Sequence, residues 1–298
     1  MTLATTVGTV ALPAPVMTAS GTAGHGTELV AYGALAALGA VVVKSLAAAP
    51  WPGNPAPRLH PAAGGGMVNH VGLQGPGVAA WREHDLPGLA ASGARVVASL
   101  WGRTVDEFAE AAALLAGAPA VVAVEVNVSC PNLEDRSRMF AHSATATAEA
   151  VDACAAAGVP RWAKLSPNAG DLCEIAGAAL GAGAEALTLV NTLLAAGVDV
   201  DGRRAWNGGL SGPPLHAVAL RAVRDCRRAF PDAGIVGVGG VASGREALAL
   251  LMAGADAVQV GTATFADPRA PWKVQGELAR WCRRHRVRRL RDVVGAAA

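Results

Sequence analysis

The stretch Val121-Val122-Ala123-Val124-Glu125-Val126-Asn127-Val128-Ser129-Cys130-Pro131-Asn132 decides the fold. Its first part, Val121 to Val126, reads as a buried β-strand. Proline stops the strand just after the cysteine. A thiol, a hydroxyl and two carboxamides are thus presented where a strand runs out into a loop. Enzymes built on parallel sheets and barrels place their chemistry at that end. Taken alone, Cys130 reads more simply as a buried structural cysteine beside a turn, because free Cys is among the most buried residue types. The rest of the chain has to decide between the two.

Outward from this stretch, short β-branched runs alternate with Ala- and Leu-rich helical segments. The runs are Val16–Ala19, Ala40–Lys44, Arg95–Leu100, Val121–Val128, Arg161–Leu165, Ala186–Val190, Ile235–Val238 and Ala257–Val260. Eight such runs in 298 residues predict an α/β fold, a (β/α)8 TIM barrel in a single domain, with long loops over the C-terminal mouth. A doubly wound sheet is the alternative, but no G-x-G-x-x-G opens a first helix. Each run ends in polar residues or glycine. The ends carry Ser20, Lys44-Ser45, Ser99, Asn127 with Cys130, Lys164 with Ser166 and Asn168, Asn191-Thr192, Gly239-Gly240, and Gly261-Thr262. In a barrel these ends converge on one mouth.

Glycine turns after the seventh and eighth strands are where barrels bind phosphate through backbone N–H groups, although tight βα turns would also explain them. Lys44 and Lys164 end apolar strands, where a lysine is costly unless it meets an anion or a polar ring. Together they suggest a phosphorylated, electron-rich cofactor. The segment Ala47 to Trp81 is too long for an ordinary connection and is expected to form a lid or wall over the mouth. Gly197–Gly212 is also long, and is expected to be mobile.

Bulk properties exclude several other classes. A net charge of +2 gives no argument for nucleic acid or membrane binding. No stretch has the length and purity of a transmembrane helix, and no signal peptide is visible. Cys130, Cys154, Cys173, Cys226 and Cys282 are scattered, with no C-x-x-C, which argues against disulfides, zinc or an iron–sulfur cluster in this chain. A reducing cytoplasm is the expected location. The arginine-rich run Arg283 to Arg291 reads as the solvated face of a helix docked through Val287, Leu290 and Val293.

The chain resembles the class 1 dihydroorotate dehydrogenases, and within them the subclass B catalytic subunit, from Pro15 to about Pro268. The motifs that carry the resemblance are Lys44-Ser45, Gly53 to Arg58, Asn69 to Gly77, Asn127 to Asn132, Lys164 to Asn168 and Asn191-Thr192-Leu193. To these add Gly208 to Pro213, Gly237 to Val241 and Val260 to Ala263. The resemblance implies FMN in the barrel mouth, contacted by Ser20, Lys44, Ser45, Asn127, Lys164, Val190, Gly212, Gly239, Gly240, Gly261 and Thr262. It implies dihydroorotate held by Lys44, Asn69, His70, Val71, Gly72, Leu73, Asn127, Asn191 and Thr192. Cys130 matches the catalytic base, and nearby lysines would help to ionise its thiol. The resemblance also implies a homodimer and a partner subunit carrying FAD and a [2Fe–2S] cluster that passes electrons to NAD.

Three positions depart from the family pattern. Ser99, counted with the cofactor-binding positions, stands where an Asn usually touches the flavin, so Ser99→Asn is expected to tighten FMN binding. Gly75 replaces another Asn in the lid, and His70 replaces a small residue beside Asn69. Two alternatives stay open: a related FMN-dependent reductase of dihydropyrimidine type, to which His70 would adapt the pocket, and a non-catalytic FMN-binding subunit.

Overall fold

The computed structural model describes residues 2–135 and 138–298. Eight parallel strands form the central sheet: β1 (Val16–Thr18), β2 (Val41–Val42), β3 (Val96–Leu100), β4 (Val121–Asn127), β5 (Arg161–Leu165), β6 (Ala186–Leu189), β7 (Gly234–Val238) and β8 (Ala257–Val260). Each predicted run contains or overlaps its strand. The order β1-β8-β7-β6-β5-β4-β3-β2 brings β1 and β2 to the two ends of the sheet. Those ends meet. Gly39 N–H donates to the Val16 carbonyl at 2.8 Å and Thr18 N–H to the Ala40 carbonyl at 3.3 Å. The Thr18 hydroxyl completes the seam by accepting from Val42 N–H at 2.9 Å. The sheet is a closed barrel with no free edge.

Helices return the chain between strands, and their starts are written in the sequence. Thr104, Ser143, Asp171 and Ser243 each accept a backbone N–H of the first turn, beginning helices Val105–Leu115, Ala144–Ala153, Leu172–Gly181 and Gly244–Met252. The C-terminal segment docks through Leu290 and Val293, both buried, in a short 3-10 turn rather than an α-helix.

Inside the barrel, side chains alternate along each strand and stack in layers. At the bottom, Met17, Val42, Val97, Ala123, Trp162, Ala186, Val236 and Ala257 form an apolar cluster with Val7, Val10 and Leu12. The last three belong to an N-terminal hairpin, Thr5–Val7 and Val10–Leu12, which plugs the barrel and which the sequence reading did not identify. Two residues further along five strands the inward layer turns polar: Ser99, Glu125, Lys164, Thr188 and Gln259, all buried. Above it lies the mouth.

The two long loops cover that mouth as one structure. Leu59–Ala62, Gly66–Asn69, Arg204–Ser211 and Leu193–Asp199 form a four-stranded antiparallel sheet, in register through Asn69 with Gly209 and Leu193 with Leu210. The wall expected from Ala47 to Trp81 is therefore present. Gly197–Gly212, expected as a mobile loop, lies largely in paired strands instead. The backbones approach closely there: a Cβ on Gly208 would come within 2.3 Å of the Asn69 carbonyl oxygen.

Candidate active site

A cavity of about 530 Å³ lies between the carboxyl ends of the strands and the four-stranded sheet. Its wall contains every flavin- and substrate-contacting position carried over above except Ser99, and it does not contain Cys130. Strand ends from all around the barrel converge on it, as the alternation of strand and helix predicts.

Glycine shapes one end. Gly240 has φ +67°, and a Cβ there would meet His216 Cβ at 2.7 Å. The His216 ring is itself tied to the Gly239 carbonyl at 2.9 Å. Thr262 donates to Ser211 at 2.8 Å and so fastens β8's turn to the covering sheet. Backbone rather than side chain therefore faces the cavity at Gly239-Gly240 and Gly261.

The two lysines differ. Lys164 Nζ lies 3.1 Å from Glu125 Oε1 and 3.1 Å from Ser20 Oγ. Glu125 is fully buried, and its other oxygen accepts from Gln259 Nε2 at 2.7 Å. Lys44 has no ion-pair partner among the described residues. Burial, then the charges of Lys164 and Arg58, push its pKa down to about 8. The strand-end lysines were read as waiting for an anion. For Lys164 the protein already supplies one, Glu125, from inside the run Val121 to Val126.

A chain of side-chain hydrogen bonds crosses the cavity floor. Asn191 donates to Asn127 Oδ1 at 3.0 Å, Asn127 Nδ2 to Ser45 Oγ at 3.4 Å, and Ser45 and Ser99 share a bond of 2.9 Å. Thr192 N–H donates to Asn191 Oδ1 at 2.8 Å. Ser99 is fully buried behind Ser45 and reaches the cavity only through it. Its hydroxyl therefore meets Ser45 rather than the open cavity. Gly75 also lies behind Ser45; a Cβ there would sit 3.4 Å from Ser45 O and from His25 Nε2. His70 does line the cavity, and its ring stacks at 5.7 Å on His60, which stacks at 4.1 Å on Trp206.

Cys130 is placed differently from the sequence expectation. Its thiol is buried, donating to the carbonyls of Gly102 at 3.0 Å and Asn127 at 3.2 Å. Burial pushes its pKa up to about 12, and the Glu107 carboxylate adds to the rise. Lysines do not contribute, so the expected assistance from Lys44 or Lys164 is not found. Its neighbour Ser129 is the residue of this loop that faces the cavity. The Asn132 side chain, the second carboxamide of the opening stretch, lies outside the described residues.

Sequence reasoning missed Glu125 and Gln259, quoted Asn54 and Arg58 only within motifs, and named Asn168 as a strand-end residue without giving it a role. All three of the latter line the cavity. Asn168 donates to the Thr192 carbonyl at 3.1 Å and accepts from Leu194 N–H at 2.9 Å, so it starts the covering hairpin. Arg58 donates to the Asn54 carbonyl at 2.9 Å and to the Gln74 side chain. Among the described residues no group of three or more His, Cys, Asp or Glu is set to hold a metal, and no helix is long and apolar enough to cross a membrane.

Comparison with known proteins agrees with this geometry. The family model described as dihydroorotate dehydrogenase matches residues 2–281. A protein of Desulforudis audaxviator, named dihydroorotate dehydrogenase B (NAD(+)), catalytic subunit, is 44% identical over 288 residues, covering 95% of this chain and 93% of its own. One of the same name from Pelobacter propionicus is 42% identical over 287 residues, with 95% and 94% covered. A Solibacter usitatus protein, provisionally named dihydroorotate dehydrogenase A (fumarate), is 41% identical over 298 residues, with 98% and 97% covered.

Proposed function

The chain belongs to the dihydroorotate dehydrogenase family, and from that premise we propose that it oxidises (S)-dihydroorotate to orotate in pyrimidine biosynthesis, with FMN bound in the barrel mouth. One observation carries this reading: a single cavity gathers Lys44, Lys164, Asn69, Asn127 and Asn191 beside the glycine turns of β7 and β8.

The residues present fit FMN. Backbone at Gly239-Gly240 and Gly261 suits a phosphate, because a Cβ on Gly240 would clash with His216 and fill the cradle. Lys44, with no carboxylate of its own, suits an anionic ligand. The volume lies in the usual range for cofactor sites. When bound, FMN supplies the acceptor for a hydride.

The chain's own residues do the rest. Asn69, Asn127 and Asn191 both donate and accept, as a ring with N–H and C=O edges requires. The bond from Asn191 to Asn127 Oδ1 fixes how those two amides point. Lys44 attracts the substrate carboxylate or the flavin's negative charge. Cys130 takes the proton from the carbon beside the one that loses hydride. For that, its thiol has to leave the Gly102 and Asn127 carbonyls and give up its proton, since a thiol already donating to two carbonyls is no base.

Relatives named as NAD(+)-type catalytic subunits favour transfer of the electrons to NAD through a second subunit. The family resemblance adds that this subunit would carry FAD and a [2Fe–2S] cluster and that this chain would assemble as a homodimer. The thiols support a separate electron carrier, because Cys130, Cys154, Cys226 and Cys282 are buried apart from any metal-binding cluster among the described residues. The purified chain should be yellow and release FMN on denaturation. With dihydroorotate it should reduce artificial acceptors but hardly any NAD. Release of FAD would refute the cofactor assignment, and rapid NAD reduction by the chain alone would refute the partner. Efficient turnover with fumarate would move the chain to the fumarate-type enzymes.

A further inference from the structure

We propose that Glu125, held by Gln259, is a positioning residue that fixes how Lys164 meets the bound flavin and cancels most of its charge there. The proposal rests on the FMN reading above.

A carboxylate in the middle of a barrel strand is unusual. On β4 the inward residue below Glu125 is Ala123, in the apolar plug, and the one above is Asn127, on the cavity floor. Glu125 sits at the boundary between them, 0% exposed. Its two oxygens have different partners. Oε1 accepts from Lys164 on the adjacent strand β5 at 3.1 Å, and Oε2 accepts from Gln259 on β8 at 2.7 Å. In the sheet, β8 lies between β1 and β7 and is not a neighbour of β4, so the Gln259 bond crosses the barrel interior. That bond fixes the plane of the carboxylate.

Donor counting then orients Lys164. Its ammonium has three protons. One goes to Glu125 and one to Ser20 Oγ at 3.1 Å. The third is left for the cavity, which Lys164 lines. A buried ion pair is a poor device for stability, because desolvation offsets most of the attraction. Its place directly under a ligand-facing lysine gives it another use. Seen from the cavity, the pair is a dipole with its positive end up, and Lys44 carries the uncompensated charge.

Glu125→Gln keeps the shape and removes the cancellation. Lys164 then faces the flavin with its full charge and favours the anionic reduced form. The measurement is the reduction potential of the FMN-loaded protein for wild type, E125Q, K164M and E125Q/K164M, with FMN affinity of each apoprotein as an independent readout. The potential of E125Q should rise. The ratio of affinities for reduced over oxidised FMN should grow by about tenfold or more, as expected for one charge uncovered at short range in a protein interior. In the K164M background the same substitution should change nothing, because Glu125 acts through Lys164. Should E125Q fail to fold, Glu125→Asp withdraws the carboxylate and should give a smaller rise. An unmoved potential in E125Q, or in E125D where that variant stands in for it, overturns the proposal, as does an equal shift in the K164M background. Failure of the wild-type apoprotein to bind FMN would instead overturn the functional reading along with it.

Discussion

The two ends of the barrel are made from the same strands and could hardly differ more. At the bottom, Met17, Val97, Ala123, Trp162, Val236 and Ala257 meet the hairpin residues Val7, Val10 and Leu12 in an apolar plug. At the mouth, the same strands present Ser20, Lys44, Asn127, Lys164 and Asn191 to an open cavity. Between them lies the polar layer of Glu125, Lys164 and Gln259, where buried charge is paired and hydrogen-bonded. The bottom has nothing to bind, and its residue types are those that gain most from leaving water. The mouth keeps polar atoms with unused hydrogen-bonding capacity, a cost in stability that only a ligand can offset.

Substitutions can test that division. The largest effect is expected at Cys130. If it is the base, Cys130→Ala should slow flavin reduction by dihydroorotate about 10²–10⁴-fold in stopped-flow measurements, the usual worth of a positioned base. FMN content should hardly change. The pH profile has a definite sign. Burial raises the thiol pKa to about 12, so the thiolate fraction and the wild-type rate should climb as pH rises from neutral. A flat profile would sever the base from the reaction.

The next effect belongs to the plug. Leu12 is 2% exposed, and Leu12→Ala should lower stability by about 2–5 kcal/mol in denaturant titrations. FMN affinity of the folded protein should stay as it was. A matching loss of affinity would show that the two ends are not independent.

Lys44 should give a smaller, pH-dependent effect. Its pKa in the protein alone is lowered to about 8, so below that pH the ammonium is already formed and an anion binds at full strength. Above it, binding FMN to the apoprotein must first draw a proton onto Lys44. Affinity should then fall about tenfold per pH unit, until pH reaches the raised pKa of the complex. Lys44→Met should abolish this slope in fluorescence titrations.

The smallest effect is expected at Ser99. Loss of its bond to Ser45 in Ser99→Ala should cost about 0.5–1.5 kcal/mol of FMN binding. Ser99→Asn, which the sequence suggested would tighten FMN, should now weaken it. The position is fully buried and its Oγ already meets Ser45 Oγ at 2.9 Å, so a longer side chain has to displace Ser45.

These residues also show what could be read before the structure. The barrel was legible because β-branched runs such as Val121 to Val126 and Ala186 to Leu189 recur with polar or glycine ends, a local pattern. The cavity wall was legible because Asn127, Lys164 and Asn191 each stand at the carboxyl end of such a run. Glu125 was not, because a single charge does not break an apolar run, and its partner Gln259 is distant in sequence. The N-terminal hairpin was not, since strands of three residues give too short an alternation to detect. The covering sheet was read as wall and loop because one strand, Arg204–Ser211, contains Gly208-Gly209, and glycines weaken a strand signal. Only pairing with Gly66–Asn69 makes it a strand. Side-chain direction was the least legible of all. Cys130 and Ser99 fall at the predicted strand ends, yet both turn away from the cavity, toward Gly102 and Ser45.

The central claim is that the mouth converts dihydroorotate with its own FMN. It is tested most directly by mixing the FMN-loaded chain anaerobically with dihydroorotate and following the flavin absorbance. The account predicts rapid bleaching of the oxidised flavin band with orotate formed in equal amount, with no partner present. A flavin that dithionite reduces but dihydroorotate leaves untouched would contradict it.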